Sequence, residues 1–162
     1  MKVDIKYPTQ LEKKINSMVN TKTLIVGFLN SKEAEVARKM EFGGLHLVDE
    51  NYKTRAKAKG IHLADYISIP PRPFMHDSVV TNKTEWKKKF NFLLKKTNDV
   101  DRSLRILGEI IKTDIQKRID NANSFYQLNS LPTIIIKEKE TVLRDTGEMR
   151  NSVNYDVING KL

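Results

Sequence analysis

The chain has 162 residues and no cysteine, and 29 lysines and arginines against 20 aspartates and glutamates give it a net charge of +9. Without cysteine it has neither a disulfide framework nor a thiolate metal site, and no apolar run approaches the ~20 residues of a membrane span. We expect one soluble, unprocessed domain over residues 1–162, since the N-terminus lacks a signal-peptide core. His46, His62 and His76 are too scattered to suggest a ligand set, so neither a metal nor a cofactor is expected.

The first two predicted elements are a helix and a strand. Apolar residues at helical spacing, with Thr9 as N-cap, predict a helix over residues 9–20. The short, β-branched and apolar run 23–29 predicts a buried strand.

A second helix and a long loop are predicted next. Asn30 can cap this helix with Glu33 as its reciprocal partner, and Gly43 and Gly44 provide a natural C-terminal signal. Residues 45–68 are polar, basic and without clear periodicity, which predicts a long basic loop.

A proline-rich segment follows this loop. Each proline ring holds φ near about −65° and biases the preceding residue away from helix, so the segment is stiff and has little entropy to lose on binding. Arginine and aromatic side chains carry much of the contact energy at protein interfaces. We therefore predict a subunit interface made by Ile69, Pro70, Pro71, Arg72, Pro73 and Phe74.

The strongest helix lies in the second half of the chain. A helix begins near Thr84 and breaks at Asn98 and Asp99, and a longer amphipathic helix covers about residues 101–122. Its one-sided apolar stripe must pack on something large, either a core within the chain or a neighbouring copy. The stripe consists of Val100, Leu104, Leu107, Ile111, Ile115, Ile119 and Ala122.

The C-terminal part is predicted to be strand. The β-branched run 133–136 follows Pro132, and residues 152–158 alternate between apolar and polar side chains, which is typical of a half-buried strand. The fold class is therefore α+β, with a small, mainly antiparallel sheet packed against helices.

The positive charge favours acidic partners, above all nucleic acid, and is equally typical of a lysine-rich soluble surface. Four cations in the predicted loop suit contact with DNA phosphates along an extended chain: Lys53, Arg55, Lys57 and Lys59. A second group resembles the solvated side of an amphipathic helix: Lys87, Lys88, Lys89, Lys95 and Lys96.

The tripeptide Asp145-Thr146-Gly147 also holds the catalytic carboxylate of aspartic proteases. In those enzymes it follows an apolar strand and precedes much of the fold, whereas here Arg144 precedes it and only 15 residues follow Gly147. We expect a structural turn, in which Asp145 caps a short helix with Glu148 as its partner. No other catalytic constellation is recognisable, so we expect a non-enzymatic protein.

Five segments, in this order, resemble the tail-completion and virion-morphogenesis proteins of tailed bacteriophages, such as minor tail protein Z of phage lambda and the G-like protein of phage Mu. The first four are Val26-Gly27-Phe28, Ala34 to Gly44, Ile69 to Phe74, and a helix with Leu104, Gly108, Ile115 and Ile119. The last consists of Leu143, Asp145, Thr146, Gly147, Met149, Ser152, Val153 and Tyr155.

The resemblance implies a structural virion protein that acts in tail completion or head–tail joining. Such proteins commonly form rings, with six copies expected, at the neck around the DNA path. The implied partners are further copies of the chain, neighbouring neck, connector or tail-tube proteins, and genomic DNA through non-specific contact, with no membrane. The implied location is the virion, after assembly in the host cytoplasm. The alternative is a nucleic-acid-binding accessory protein that uses its basic surface.

Overall fold

The computed structural model describes residues 22–29 and 32–160. Within them, strands and helices are mixed along the chain, so the predicted α+β class is confirmed. The predicted helix over 9–20 and the predicted cap Asn30 lie outside the described residues. The elements are β1 (Lys22–Gly27), α1 (Glu33–Phe42), β2 (Gly44–Leu47), α2 (Glu50–Ala58), β3 (Tyr66–Ile69), α3 (Phe74–Thr97), α4 (Val100–Asp120), a 3-10 turn (Ala122–Ser124), α5 (Leu131–Lys137), α6 (Glu148–Asn151) and β4 (Asn154–Asn159).

The described strands form two separate antiparallel pairs. β1 pairs with β4, so the predicted C-terminal strand is confirmed and Leu24 lies opposite Val157. β2 pairs with β3, and α2 connects these two strands. The β1–β4 pair packs on α4, which places it in the body of the fold.

Helices α3 and α4 form a long hairpin. The predicted break is confirmed, because Asn98 adopts a left-handed conformation with φ 50° and the Asp99 side chain accepts a hydrogen bond from the Arg102 N–H. Between the two helices, the Trp86 indole donates to an Asp114 carboxylate oxygen at 2.8 Å.

Helix α3 begins at Phe74, ten residues before the predicted start at Thr84. Its first turn is capped from α1, because the two carboxylate oxygens of Glu41 accept the backbone N–H groups of Met75 and His76, each at 2.9 Å. A cap supplied by a distant helix leaves no local sequence signal.

The apolar stripe of α4 packs on a core within the chain, which is the first of the two alternatives given above. Near the start of α4, Val100 and Leu104 join a core cluster with Leu94 and Val157. Farther along, the helix enters the main core cluster, which contains Ala37, Phe74, Ile115, Ile119, Ala122, Val142, Leu143, Met149 and Val153.

The prediction of a long basic loop over residues 45–68 is wrong. This segment forms β2, α2 and β3, and α2 begins where the Asp49 side chain accepts the Tyr52 N–H at 2.8 Å. Ala56 is the one buried residue of α2. A helix that buries so little has no apolar period by which a sequence pattern could reveal it.

The strand expected over 133–136 is also wrong, because these residues belong to α5. Pro132 lies in the first turn of that helix, where a missing N–H costs nothing. The β-branched run disfavours helix only weakly, and tertiary contacts override so small a preference.

Candidate subunit interface

Two residues of the proline-rich segment, Arg72 and Phe74, face the interior of their own chain, so the interface role predicted for these two side chains is wrong. Pro71 is exposed, and the other predicted interface residues are half-buried, namely Ile69, Pro70 and Pro73. Arg72 is 5% exposed and Phe74 is fully buried. The Arg72 guanidinium donates to the Gln127 carbonyl oxygen at 3.2 and 3.3 Å and to the Asn129 side-chain oxygen at 3.2 Å. Burial lowers the pKa of Arg72. Phe74 packs edge-on against Phe28, with ring centroids 6.1 Å apart.

The end of α1 and the proline-rich segment form one packed unit. Gly43 has φ 61°, so the predicted glycine ending of α1 is confirmed. A Cβ at Gly43 would lie 2.5 Å from both the Ile69 carbonyl oxygen and the Pro71 nitrogen. The Arg72 N–H donates to the Met40 carbonyl oxygen at 2.8 Å. The stiff proline-rich segment, predicted to contact another subunit, therefore packs against α1 of its own chain.

A turn at Gly147 precedes a short helix, as predicted, but its cap differs from the prediction. Gly147, with φ 91°, precedes α6, and the Glu148 N–H donates to the Thr146 hydroxyl at 3.3 Å. The Asp145 carboxylate instead accepts from Arg55 at 3.4 Å. The capping role assigned to Asp145 is therefore wrong. An open depression of about 290 Å³ beside this turn is lined by Lys139, Glu140, Thr141, Arg144, Asp145, Thr146 and Gly147.

Three of the four cations predicted to face DNA are paired with carboxylates of the same chain. Lys53 donates to Glu50 at 3.1 Å and to Asp65 at 2.9 Å, and the hydrogen bond to Asp65 raises the pKa of Lys53. Arg55 contacts Asp145, as above, and also donates to the Ile136 carbonyl oxygen at 3.1 Å.

The two remaining members of this predicted set differ from each other. Lys59 pairs with Glu138 of α5, whereas Lys57 is exposed. The pairs of Arg55 and Lys59 link α2 to the C-terminal part of the chain, so both cations already have acidic partners within the chain.

An exposed apolar surface that the sequence analysis missed lies on the β2–β3 pair. Leu45 is 70% exposed, Leu47 is 65% exposed and Tyr66 is 56% exposed. In the antiparallel register, Leu45 lies opposite Ser68 and Leu47 lies opposite Tyr66, so these four side chains share one face. We call it the sheet face.

The sequence of β2 carries a short signal of the sheet face, and the β2–β3 pair leaves the outer edges of both strands unpaired among the described residues. Leu45 and Leu47 alternate with His46, the pattern of a strand with two different faces, but the run is too short to stand out. Among the described residues, neither β2 nor β3 has a second strand partner. Such edges are templates for pairing with another chain.

A second exposed apolar surface lies on and just before α5. Leu131 is 70% exposed and Ile135 is 42% exposed, and the two are one helical turn apart on the same side. Leu128, three residues before the helix, is 58% exposed. We call these three side chains the α5 face. The α5 face is not evident from the sequence, because the β-branched run 133–136 predicts a strand there and not a helix.

Comparison of the chain with family models, with curated proteins and with solved structures gives no match in any of the three. In residues 22–29 and 32–160, no helix is both long and apolar enough to cross a membrane. Over the same residues, no group of three or more histidine, aspartate or glutamate side chains is placed to hold a metal ion.

Proposed function

We propose that this chain is a structural subunit of a tailed-bacteriophage virion, which joins copies of itself head to tail into a ring at the neck or at the head-proximal end of the tail. The observation that carries the proposal is the pair of exposed apolar surfaces, the sheet face and the α5 face, on different elements of one chain. The order of the sequence segments that resemble tail-completion proteins supports the virion context.

The two faces suit each other as halves of one contact. Scattered exposed apolar residues are ordinary, whereas contiguous apolar surfaces mark interaction sites. Each face groups three large apolar side chains that are at least 42% exposed. The apolar side of a helix against an apolar sheet is a common layer packing in protein cores. We therefore assign the sheet face of one copy to the α5 face of the next.

A contact between two different faces has a defined consequence for symmetry. Each copy retains one unused face after pairing, so the contact is heterologous. Its repetition gives a ring where the rotation between neighbouring copies closes and an open filament where it does not, and we propose the closed form. No cofactor and no bond-making step are needed for this role.

The experiment uses one variant for each face. Leu45→Asp with Leu47→Asp disables the sheet face, and Leu131→Asp disables the α5 face. We expect the wild type to self-associate as its concentration rises in analytical ultracentrifugation, and each variant alone to remain monomeric. A mixture of the two variants should form dimers that grow no further, because each variant supplies the face that the other lacks.

A matched control keeps the test specific. Val80→Asp places the same charge at a 53% exposed apolar residue of α3 and should leave self-association unchanged. A wild type that stays monomeric at every concentration would contradict the proposal, and so would a mixture of variants that forms no dimer. If the sheet-face variant instead melts at a lower temperature while the wild type is monomeric, the face is covered within its own chain.

The virion context has its own test. Electron microscopy of particles produced without this protein should reveal unjoined heads and tails. Normal, infectious virions in its absence would overturn the phage assignment, whatever the ultracentrifugation result.

A further inference from the structure

The outward side of α3 carries an exposed aromatic ring among four lysines. Phe92 is 64% exposed. Lys88, Lys89, Lys95 and Lys96 stand four and three residues before it and three and four residues after it, and all four are exposed. Positions three and four apart are neighbours on a helix surface, so the four lysines flank Phe92 on the same side of the helix. We call these five side chains the α3 cation face.

This surface points away from the packed side of its helix. Trp86 and Leu94 are buried and Phe90 packs partly against the core, which places the inner stripe of α3 at these positions. Phe92 lies midway between Phe90 and Leu94 in sequence, about 200° around the helix from each at 3.6 residues per turn. The ring therefore makes no part of the described core.

The charge of this surface is only partly compensated within the chain. Lys88 pairs with Glu85 at 2.8 Å. For Lys89, Lys95 and Lys96, no carboxylate of the described residues lies within 4.0 Å of the ammonium nitrogen. The helix dipole favours cations in the last turn, which accounts for Lys95 and Lys96. It does not account for Lys88 and Lys89 or for an exposed phenylalanine between the two pairs.

We propose that the α3 cation face binds single-stranded nucleic acid. Lysines neutralise backbone phosphates, and an exposed aromatic ring stacks on an unpaired base regardless of its identity. Seven residues separate Lys88 from Lys95 and Lys89 from Lys96, about 10 Å of helix, so the two lysine pairs contact different phosphates with Phe92 between them. The proposal moves nucleic-acid contact from α2, whose cations are largely paired, to α3.

The binding experiment measures fluorescence anisotropy of a labelled 20-nucleotide oligo(dT) and of a duplex of the same length. Lys89→Gln with Lys96→Gln should weaken oligo(dT) binding at least about tenfold and lower the slope of log K against log salt by about 1.4, since each lost phosphate contact on a single strand contributes about 0.7. Phe92→Ala should weaken oligo(dT) binding about tenfold and leave duplex binding unchanged.

The control removes the same charge elsewhere. Lys57→Gln with Lys117→Gln changes two exposed lysines, on α2 and α4, and should alter binding less than threefold. If the Lys57/Lys117 variant loses as much oligo(dT) affinity as the Lys89/Lys96 variant, the proposal is overturned, because net charge alone would then explain the binding. Absence of oligo(dT) binding at 50 mM salt would also overturn it.

A membrane surface is the remaining alternative partner for this face. Vesicles of phosphatidylserine and phosphatidylcholine that bind the wild type but not Phe92→Ala, while oligo(dT) does not bind, would identify an anionic lipid surface and refute the proposal. The circular dichroism melting curve of each variant confirms that it folds. The α3 cation face shares no residue with the sheet face or the α5 face, so failure here leaves the ring proposal intact.

Discussion

The aromatic ring of Tyr155 in β4 packs directly on Gly108 in α4. A Cβ at residue 108 would lie less than 3.0 Å from three atoms of that ring. Glycine at this position lets β4 approach the helix backbone, and Tyr155 lies opposite Val26 in β1. The close approach therefore fixes the distance between the β1–β4 pair and the helix that carries the main apolar stripe.

Gly108→Ala should destabilise the protein by about 1–3 kcal/mol, as overpacking does in a filled core. The sign is diagnostic, because the same change in an exposed helix interior stabilises by about 1 kcal/mol. Urea unfolding measures the difference. In a Tyr155→Ala background the steric conflict is absent, so there Gly108→Ala should be neutral or stabilising. If Gly108→Ala alone made the protein more stable than the wild type, that result would contradict the close packing of Tyr155 on Gly108.

Gly43→Ala should lower the free energy of unfolding clearly more than Gly60→Ala. Both glycines have positive φ, 61° and 72°, so alanine is strained at both positions. At Gly43 ψ is −156°, and this combination of φ and ψ is essentially restricted to glycine. Nothing lies within 4 Å of a Cβ at Gly60, whereas a Cβ at Gly43 meets the backbone of Ile69 and Pro71. We expect Gly43→Ala to lower the free energy of unfolding by at least about 1 kcal/mol more than Gly60→Ala. Equal costs would mean that α1 and the proline-rich segment are not in contact.

Arg72→Ala should destabilise the monomer by about 2–3 kcal/mol, because the acceptors on Gln127 and Asn129 lose a charged donor. Arg72→Lys should destabilise the protein less than Arg72→Ala does, since lysine keeps the charge but lacks the planar guanidinium that donates to both acceptors. The exposed Arg38 provides the control, and its change to alanine should cost less than about 0.5 kcal/mol. A fully stable Arg72→Ala that fails to self-associate would reinstate the interface role rejected above.

Tyr126 should make stability fall in alkaline solution. Its hydroxyl donates to Asp77 at 2.9 Å, and burial, together with this hydrogen bond, raises the pKa of Tyr126 above its ordinary 10.0. Above about pH 10 the unfolded chain loses this proton while the folded chain keeps it, so the folded state binds more protons and stability decreases as pH rises. Tyr126→Phe should remove this part of the pH dependence in urea unfolding between pH 9 and 11.5. An unchanged slope would show that Tyr126 ionises normally in the folded protein.

The predictions from sequence succeeded where a pattern was long. The stripe of α4 repeats over several turns, so its inward side was evident without any knowledge of its partner. They failed where an element is short and buries little: α2 buries Ala56 alone, and α5 buries Ile136 alone. Such elements exist because neighbours hold them, as Arg55 and Lys59 hold α2 to the C-terminal part of the chain. Local propensity is too weak to reveal them.

The proline-rich segment shows which properties the sequence alone determines and which depend on the tertiary structure. Ring chemistry makes residues 70–73 stiff in any context, and net charge follows from composition alone. Whether Arg72 points outward or inward depends on the carbonyl of Gln127, which is 55 residues away in sequence. In the same way, the pairing of Lys53 depends on Asp65, whereas the α3 lysines meet few acids. Stiffness, helical periodicity and charge are local properties of the chain, but the direction of a side chain is set by whatever packs against it after distant segments meet.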